Sequence, residues 1–460
     1  MRAATIAGFF LPLAASIALP RPDKVDYEGY KVFRLNTEHG LAQVQEKLST
    51  INFDQWNIDS SRHIDISVSP EQLAAFEALG LDFHVMHENL GRSLAEESAV
   101  KSKYKRQIND DAWFDQYHPY ADHEQYFKDL QAALPDNSEF ITYGKSYEGR
   151  DMFGLHLYGV DGPGKPAVLY HGTVHAREWI TAMVIEYITL QLVTGYGVDN
   201  VTTSFLDRYD FYILPFVNPD GFVYTQEVQR LWRKNRMPPP PPPANQSCFG
   251  LDVNRNWDQE WDGNPLGASP NPCSQTYRGE YPSSSPENQA LTALADKLGA
   301  GAGIKLFICT TSAPCIQNPP SPRAPPPTNS IPHRFDWHSY GQYILYPWGH
   351  NCTLWHSSSG AHQQLAALTG DAIRTGANGT TFTFGPSCST LYATTGSSID
   401  YVFAKAGAKY SYTIELRDTG DYGFVLPPAQ IRGAAEEQWV GQQVMLSLLD
   451  EVLFDGEGPA

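Results

Sequence analysis

The stretch "KPAVLYHGTVHAREWITAMVIEYITLQLV" (residues 165–193) decides how this chain is read. Its opening, "KPAVLYHG", has the apolar run of a buried strand, and "WITAMVIEYITLQLV" carries an apolar face at helical spacing. Between them lies a short loop holding His175, Arg177 and Glu178. Working outward, "RYDFYILPFVNPDG" predicts a strand ending in a turn, and "IKLFI" and "AKYSYTIELRDTG" predict two more. Strands alternating with helices in this way predict an α/β fold: a mixed, mostly parallel twisted sheet flanked by helices on both faces.

At 460 residues the chain exceeds one typical core, so two domains are expected. Residues 28–90 predict a small α+β open sandwich. "YKVFRL", "HIDISV" and "LDFHVM" read as strands, and "EHGLAQVQEKLST" and "PEQLAAFEAL" as helices. Ser69, Pro70 and Gln72 form a helix-start signature, and Gly80 a stop. Residues 91–106 are polar and predict a linker, with the dibasic pair Lys105-Arg106 as a processing site. Arg2 and the apolar run ending in Ser16-Ile17-Ala18 read as a secretory signal over 1–18. A formal charge of −18 argues against nucleic acid as a partner, and no later stretch is long and apolar enough to predict a membrane span. A secreted, extracellular monomer is expected, with a vacuolar lumen as the lesser alternative. Six cysteines then suggest disulfides, and Asn200, Asn245, Asn351 and Asn378 stand in glycosylation sequons.

His175 and Glu178 are three residues apart, a spacing that can aim an imidazole and a carboxylate at one metal ion. Alone, such a pair is more often a helix-start ion pair. It does not stand alone. "QRLWRKNR" supplies Arg230 and Arg233, and "GLDVNRNWD" supplies Asn254 and Arg255. "DWHSYGQYILYPWG" supplies His338, and "SYTIELRDTGDYGF" supplies Glu415. In this order over more than two hundred residues, the motifs resemble those of the secreted zinc metallocarboxypeptidases of the pancreatic A/B type, made as proenzymes. The resemblance covers nearly the whole chain after the signal. It implies one Zn²⁺ held by His175, Glu178 and His338, with Glu415 as general base and Arg233 polarising the scissile carbonyl. It further implies substrate contacts from Arg177, Asn254, Arg255, Ser339, Tyr340 and the mobile Tyr392. Free peptide C-termini are the implied substrate, and the N-terminal unit, residues 19–106, the implied inhibitory propeptide of a catalytic domain at 107–460. Alternation along "YSYTIEL" puts Thr413 and Glu415 on one face of the strand, and Tyr412, Ile414 and Leu416 on the other.

In the family the residue at Ile399 lies at the bottom of the pocket for the leaving side chain, so an A-like preference for hydrophobic and aromatic C-termini is implied. Were the neighbouring Asp400 to point inward, that preference would reverse. Cys248 and Cys273 resemble the family's shared disulfide, and Cys352 and Cys388 a second one found in some members. One stretch has no counterpart. Residues 309–335, 27 residues with eight prolines, separate "KLFI" from the "DWHSY" that follows it directly in the family. This stretch is read as a translated intron or an error of gene prediction. The alternative is a genuine surface insertion, whose closure costs little. If genuine and displacing His338, it would leave a catalytically inactive carboxypeptidase-like protein. An endopeptidase is disfavoured by Asn254 and Arg255.

Overall fold

A computed structural model describes residues 23–37, 40–56, 63–99, 104–109, 111–242, 244–311, 341–377 and 379–451. The expected signal peptide, Cys315 and the sequon at Asn378 lie outside these residues.

The N-terminal unit is an antiparallel sheet of order β2-β3-β1-β4, formed by β1 (Lys31–Asn36), β2 (Asp54–Gln55), β3 (His63–Val68) and β4 (Phe83–His87). Two helices, Leu41–Leu48 and Pro70–Ala78, return over one face. Strand alternation aims Phe33, Leu35, Ile64, Ile66 and Val68 at Val44, Leu48 and Phe76 of these helices. Gly80, at φ +60°, ends the second helix as read from the sequence. Ser69 does stand at the N-cap position, but its hydroxyl bonds the Glu71 carboxylate rather than a backbone amide.

One reading of this unit needs correction, that of the linker at 91–106, and one strand is more enclosed than alternation alone requires. All six residues of β3 are buried, although "HIDISV" alternates. The second face packs on the larger domain: Arg34 holds Asp65 at 2.7 and 2.8 Å and also donates to the carbonyl of Thr419. The expected linker 91–106 begins inside a helix, Leu90–Glu97. Asn89 caps it by accepting from the Arg92 amide at 3.1 Å, and Leu90, Leu94 and Glu97 face the domain interface. The acidic and small residues between them hide this stripe from a hydropathy reading.

The larger domain is an eight-stranded mixed sheet of order β11-β10-β12-β9-β7-β8-β6-β5. Its strands are β5 (Ser138–Lys145), β6 (Asp151–Leu157), β7 (Ala167–His171), β8 (Asp210–Leu214), β9 (Ile304–Thr311), β10 (Tyr343–Tyr346), β11 (Thr383–Pro386) and β12 (Tyr410–Glu415). The four central strands β12, β9, β7 and β8 run parallel, while β5 and β6 pair antiparallel on one side and β10 joins β12 antiparallel on the other. Each face is covered by helices. Helices Ile180–Gly195, Ser359–Gly376 and Ile431–Leu448 bury Tyr412, Ile414 and Leu416 on one side. Helix Pro286–Ala300 and the segment around Trp257 cover Leu169, Phe307 and Cys309 on the other. Strand β9 does not leave the sheet at Ile308, as the reading of 309–335 as a separate excursion supposed. Cys309, Thr310 and Thr311 continue it, buried and paired with Thr413, Ile414 and Glu415.

Phe76 fills the small sandwich and touches Phe33 with ring centroids 4.4 Å apart. Phe76→Ala is expected to cost the N-terminal unit about 3–5 kcal/mol, seen as a lowered midpoint for that unit in urea denaturation followed by limited proteolysis.

Candidate active site

Three neighbouring parallel strands, β7, β9 and β12, end together, with His171 level with Cys309 and Thr311 level with Glu415. The carboxyl ends of parallel strands in such sheets are where ligands bind. The loop leaving β7 is stitched in place before its helix begins. The Thr173 amide donates to the Thr181 hydroxyl, Ala176 donates to the carbonyl of Arg233, and the side-chain amide of Asn218 donates to the carbonyls of Val174 and Arg233. This rigid loop brings the Nδ1 of His175 to 2.8 Å from the Glu178 Oε1. From the end of β9, the Thr311 hydroxyl donates to Glu178 Oε2 at 2.7 Å and lies 3.3 Å from the same Nδ1.

Behind the histidine stands a residue the sequence reading passed over. The Nε2 of His175 is 3.3 Å from Asp252 Oδ1, and Asp252 Oδ2 accepts from Arg233 Nη2 at 2.7 Å. All four side chains are buried. Burial pushes the Asp252 carboxyl up, but Arg233 and His175 outweigh it and hold the group below its ordinary range. Glu178 is likewise lowered, burial being overcome by His175. Asp252 lies two residues before Asn254, and an acid beside a candidate binding pair was the available signal.

Glu415 closes the group from β12. Burial, reinforced by the charge of Glu178, pushes its carboxyl up to about 8, and Arg233 and Arg255 pull the other way. Its Oε2 has no hydrogen-bond partner among the described residues. Arg255 is buried, donates through Nη1 to the Asn254 carbonyl at 2.8 Å, and has no partner at Nε among the described residues. Asn254 is fixed by the Ser398 amide, which donates to its Oδ1 at 2.9 Å.

A cavity of about 30 Å³, room for one or two waters, lies among His175, Asn254, Arg255, Tyr392, Ile399 and Glu415. Tyr392 is near enough to Arg255 and Glu415 to feel their charges, and burial raises its phenol above the ordinary value. Ile399 faces this cavity, whereas the Asp400 carboxylate turns away and accepts from the amides of Gly349 and His350 and from the His350 ring. Disulfides join Cys248 to Cys273 and Cys352 to Cys388, bracing the loops around it. His338, Ser339 and Tyr340 lie outside the described residues.

The N-terminal unit covers this region. Trp56 packs on Phe424, and the Arg177 guanidinium lies 3.7 Å over the Phe424 ring and donates to the Trp56 carbonyl at 3.5 Å. Glu97 grips Arg230 through two bonds of 2.6 Å each, and Arg230 also donates to the carbonyls of Arg177 and Phe424. Neither Trp56 nor Glu97 is marked by any motif, because each acts only through the docked interface.

The larger domain is thus an α/β domain with a buried polar cluster at the ends of its parallel strands, and the N-terminal module packs over it. Residues 123–321 and 323–441 match the zinc carboxypeptidase family, and residues 33–97 match its carboxypeptidase activation peptide. The chain is similar to metallocarboxypeptidase A of Trichophyton rubrum, 39% identical over 92% of this chain and 93% of that protein. It is also similar to carboxypeptidase A4 of Mus musculus, 31% identical over 93% of this chain and 95% of that protein. The crystal structure of thrombin activatable fibrinolysis inhibitor matches with a TM-score of 0.78 at 26% identity, covering 93% of this chain and all of that one. The chain belongs to the zinc carboxypeptidase family, and it is a metallocarboxypeptidase with an activation peptide, the arrangement of a zymogen.

Family membership implies a zinc ion. His175 and Glu178 converge as two ligands of one cation would, and Asp252 on the far ring nitrogen is the outer partner such a histidine needs. The third group converging on them from the described residues is the hydroxyl of Thr311. Among the described residues no cluster of three or more His, Cys, Asp or Glu is set to hold a metal.

Glu97→Ala would leave the Arg230 guanidinium buried without its acid, at a cost of about 3–5 kcal/mol to the docked state. The expected outcome is a zymogen whose N-terminal unit is released earlier on heating and cut faster by trypsin, with the larger domain melting where it did before.

Proposed function

We propose that the domain after Arg106 removes C-terminal residues from peptides, with hydrophobic and aromatic side chains preferred. His175, Glu178 and an imidazole assigned to His338 would hold the zinc, which when bound supplies a Lewis acid that polarises the carbonyl and acidifies water. The observation that carries the reading is one small cleft at the strand ends lined by His175, Arg255 and Glu415, with Glu178 bonded to His175 and Arg233 tied to Asp252 behind it.

Each residue's environment suits its part. Arg255 and Asn254 offer a planar fork and an amide to a terminal carboxylate, which explains a demand for free C-termini. Arg233, locked by Asp252, presents a fixed cation where charge develops on the scissile carbonyl oxygen. Glu415, with its proton affinity raised by burial, takes the proton of the attacking water and passes it to the departing amine. Ile399 in the cavity wall, with Asp400 turned outward, favours an apolar side chain at the leaving residue.

The N-terminal unit, 19–106, acts as the inhibitor: it covers Arg177 through Trp56 and occupies Arg230 through Glu97. Release follows cleavage after Arg106, which is exposed next to exposed Lys105 and tethered to Asp129 at 3.0 Å. Entry to the secretory route through residues 1–18 fits the two disulfides and the exposure of Asn200, Asn245 and Asn351 as glycan acceptors.

The test is the protein trimmed at Arg106 and assayed on peptides ending in Phe, Leu or Lys. Release of Phe and Leu that stops on chelation, and falls by about 10²–10⁴-fold in Glu415→Gln, is expected; release that survives chelation contradicts the reading. Ile399→Asp should exchange the preference for one toward Lys and Arg, read as the ratio of kcat/KM values for Lys-ending and Phe-ending peptides.

A further inference from the structure

The residue just beyond the expected cleavage site takes no part in the chemistry above. Cleavage after Arg106, on which this inference rests, makes Gln107 the amino-terminal residue of the larger domain. Gln107 is exposed, and among the described residues neither its backbone amide nor its carboxamide is hydrogen-bonded. It lines an open hollow of about 530 Å³ with Arg106, Ile108, Asn109, Asp129 and Ala132, on the flank of helix Tyr120–Ala133. Its side chain therefore has room to turn back on its own backbone. The next residue is held in place: Ile108 packs against the main core, and its carbonyl accepts from the Tyr126 hydroxyl at 3.5 Å. The acid at this hollow, Asp129, accepts from Arg106 at 3.0 Å and from the side-chain amide of Gln125 at 2.9 Å. It keeps the second donor when Arg106 departs.

We propose that Gln107 cyclises once the cut frees its amine, so that the activated domain begins with pyroglutamate. The neutral α-amine attacks the side-chain carbonyl carbon, Cδ. A bond forms between that nitrogen and Cδ, the bond from Cδ to Nε2 breaks, and ammonia leaves carrying a proton from the amine. No oxidant or co-reactant enters. Both reacting groups belong to one residue, so the step has the advantage of an intramolecular reaction, and an α-amine with a pKa of about 7.7–8.0 is partly neutral at neutral pH. Glutamine has the length for an unstrained lactam; asparagine, one methylene shorter, has not. The lactam carries neither charge nor free amine, and it caps a segment the domain needs. Ile108, Trp113 and Phe114 pack in or against the main core, and the Trp113 indole donates to buried Glu186 at 2.9 Å. An aminopeptidase, which grips a free α-amine, would otherwise start at Gln107 and work toward these residues.

The experiment starts from the full zymogen, cut by limited trypsin treatment and incubated at neutral pH. The N-terminal peptide of the larger domain is then followed by mass spectrometry, and the intact domain is challenged with an aminopeptidase. The peptide beginning at residue 107 should become lighter by one ammonia, and the domain should grow resistant to the aminopeptidase in step with that loss. Gln107 in the uncut zymogen should keep its full mass. Gln107→Asn should keep its mass and its free amine after the same cut, lose residues to the aminopeptidase, and turn over peptide substrates with an unchanged kcat/KM. A peptide that begins at Gln107 and retains its full mass and a reactive amine after incubation overturns the proposal while leaving the cleavage site intact. A larger domain that begins at another residue overturns the reading of the cleavage site, and the proposal with it.

Discussion

The buried series Arg233–Asp252–His175–Glu178 is the constraint on which the rest of the site depends. Any one of these groups taken alone into the interior would cost several kcal/mol, so they are stable there only as a set. The set fixes more than charge. Asp252 takes the Nε2 side of the imidazole, which leaves Nδ1 to face Glu178 and the strand ends. The same aspartate holds Arg233 still, so one carboxylate orients both the candidate ligand and the candidate oxyanion donor. Glu415, outside this pairing, keeps its proton more tightly because it is buried and lies near the charge of Glu178.

The same economy of contacts governs the covering unit. Its second sheet face and its last helix, both polar in sequence, are matched to polar groups of the larger domain rather than to water. Arg34 reaches the carbonyl of Thr419, the His87 ring bonds the carbonyl of Tyr422 at 2.9 Å, and Glu97 closes on Arg230. The first two contacts fall on the segment that follows β12, and Arg230 is itself bonded to the Phe424 carbonyl of that segment, so the strand carrying Glu415 leads into the surface the N-terminal unit grips.

Much of the architecture is legible in the sequence. The strand–loop–helix at 165–193, the alternation that sends Ile414 inward to the core and Glu415 to the cleft, and the end of a helix at Gly80 follow from local chemistry. That His175, Glu178, Arg233, Asn254, Arg255 and Glu415 should lie near one another was implied by the family resemblance that their motifs carry, since none of these residues taken alone distinguishes a site from an ordinary ion pair. Asp252 was not, although it lies within one of those motifs: an acid two residues from a candidate pair acquires its role only once the chain folds it behind His175. Helix Leu90–Glu97 was missed because its buried positions include a glutamate, apolar in effect only against Arg230.

Residues alone determined the family, the order of the motifs and the choice of isoleucine beside an aspartate at 399–400, since these depend on side-chain identity and spacing. Which of those two neighbours faces the cavity was decided by tertiary structure, through the amides of Gly349 and His350 that draw Asp400 away. Tertiary structure also decided that β9 runs on through Thr311, because pairing with β7 and β12 satisfies its backbone and continues as far as those neighbours extend. A strand's register is a property of the sheet, and no reading of one segment could have shown which side chain would stand opposite Glu178.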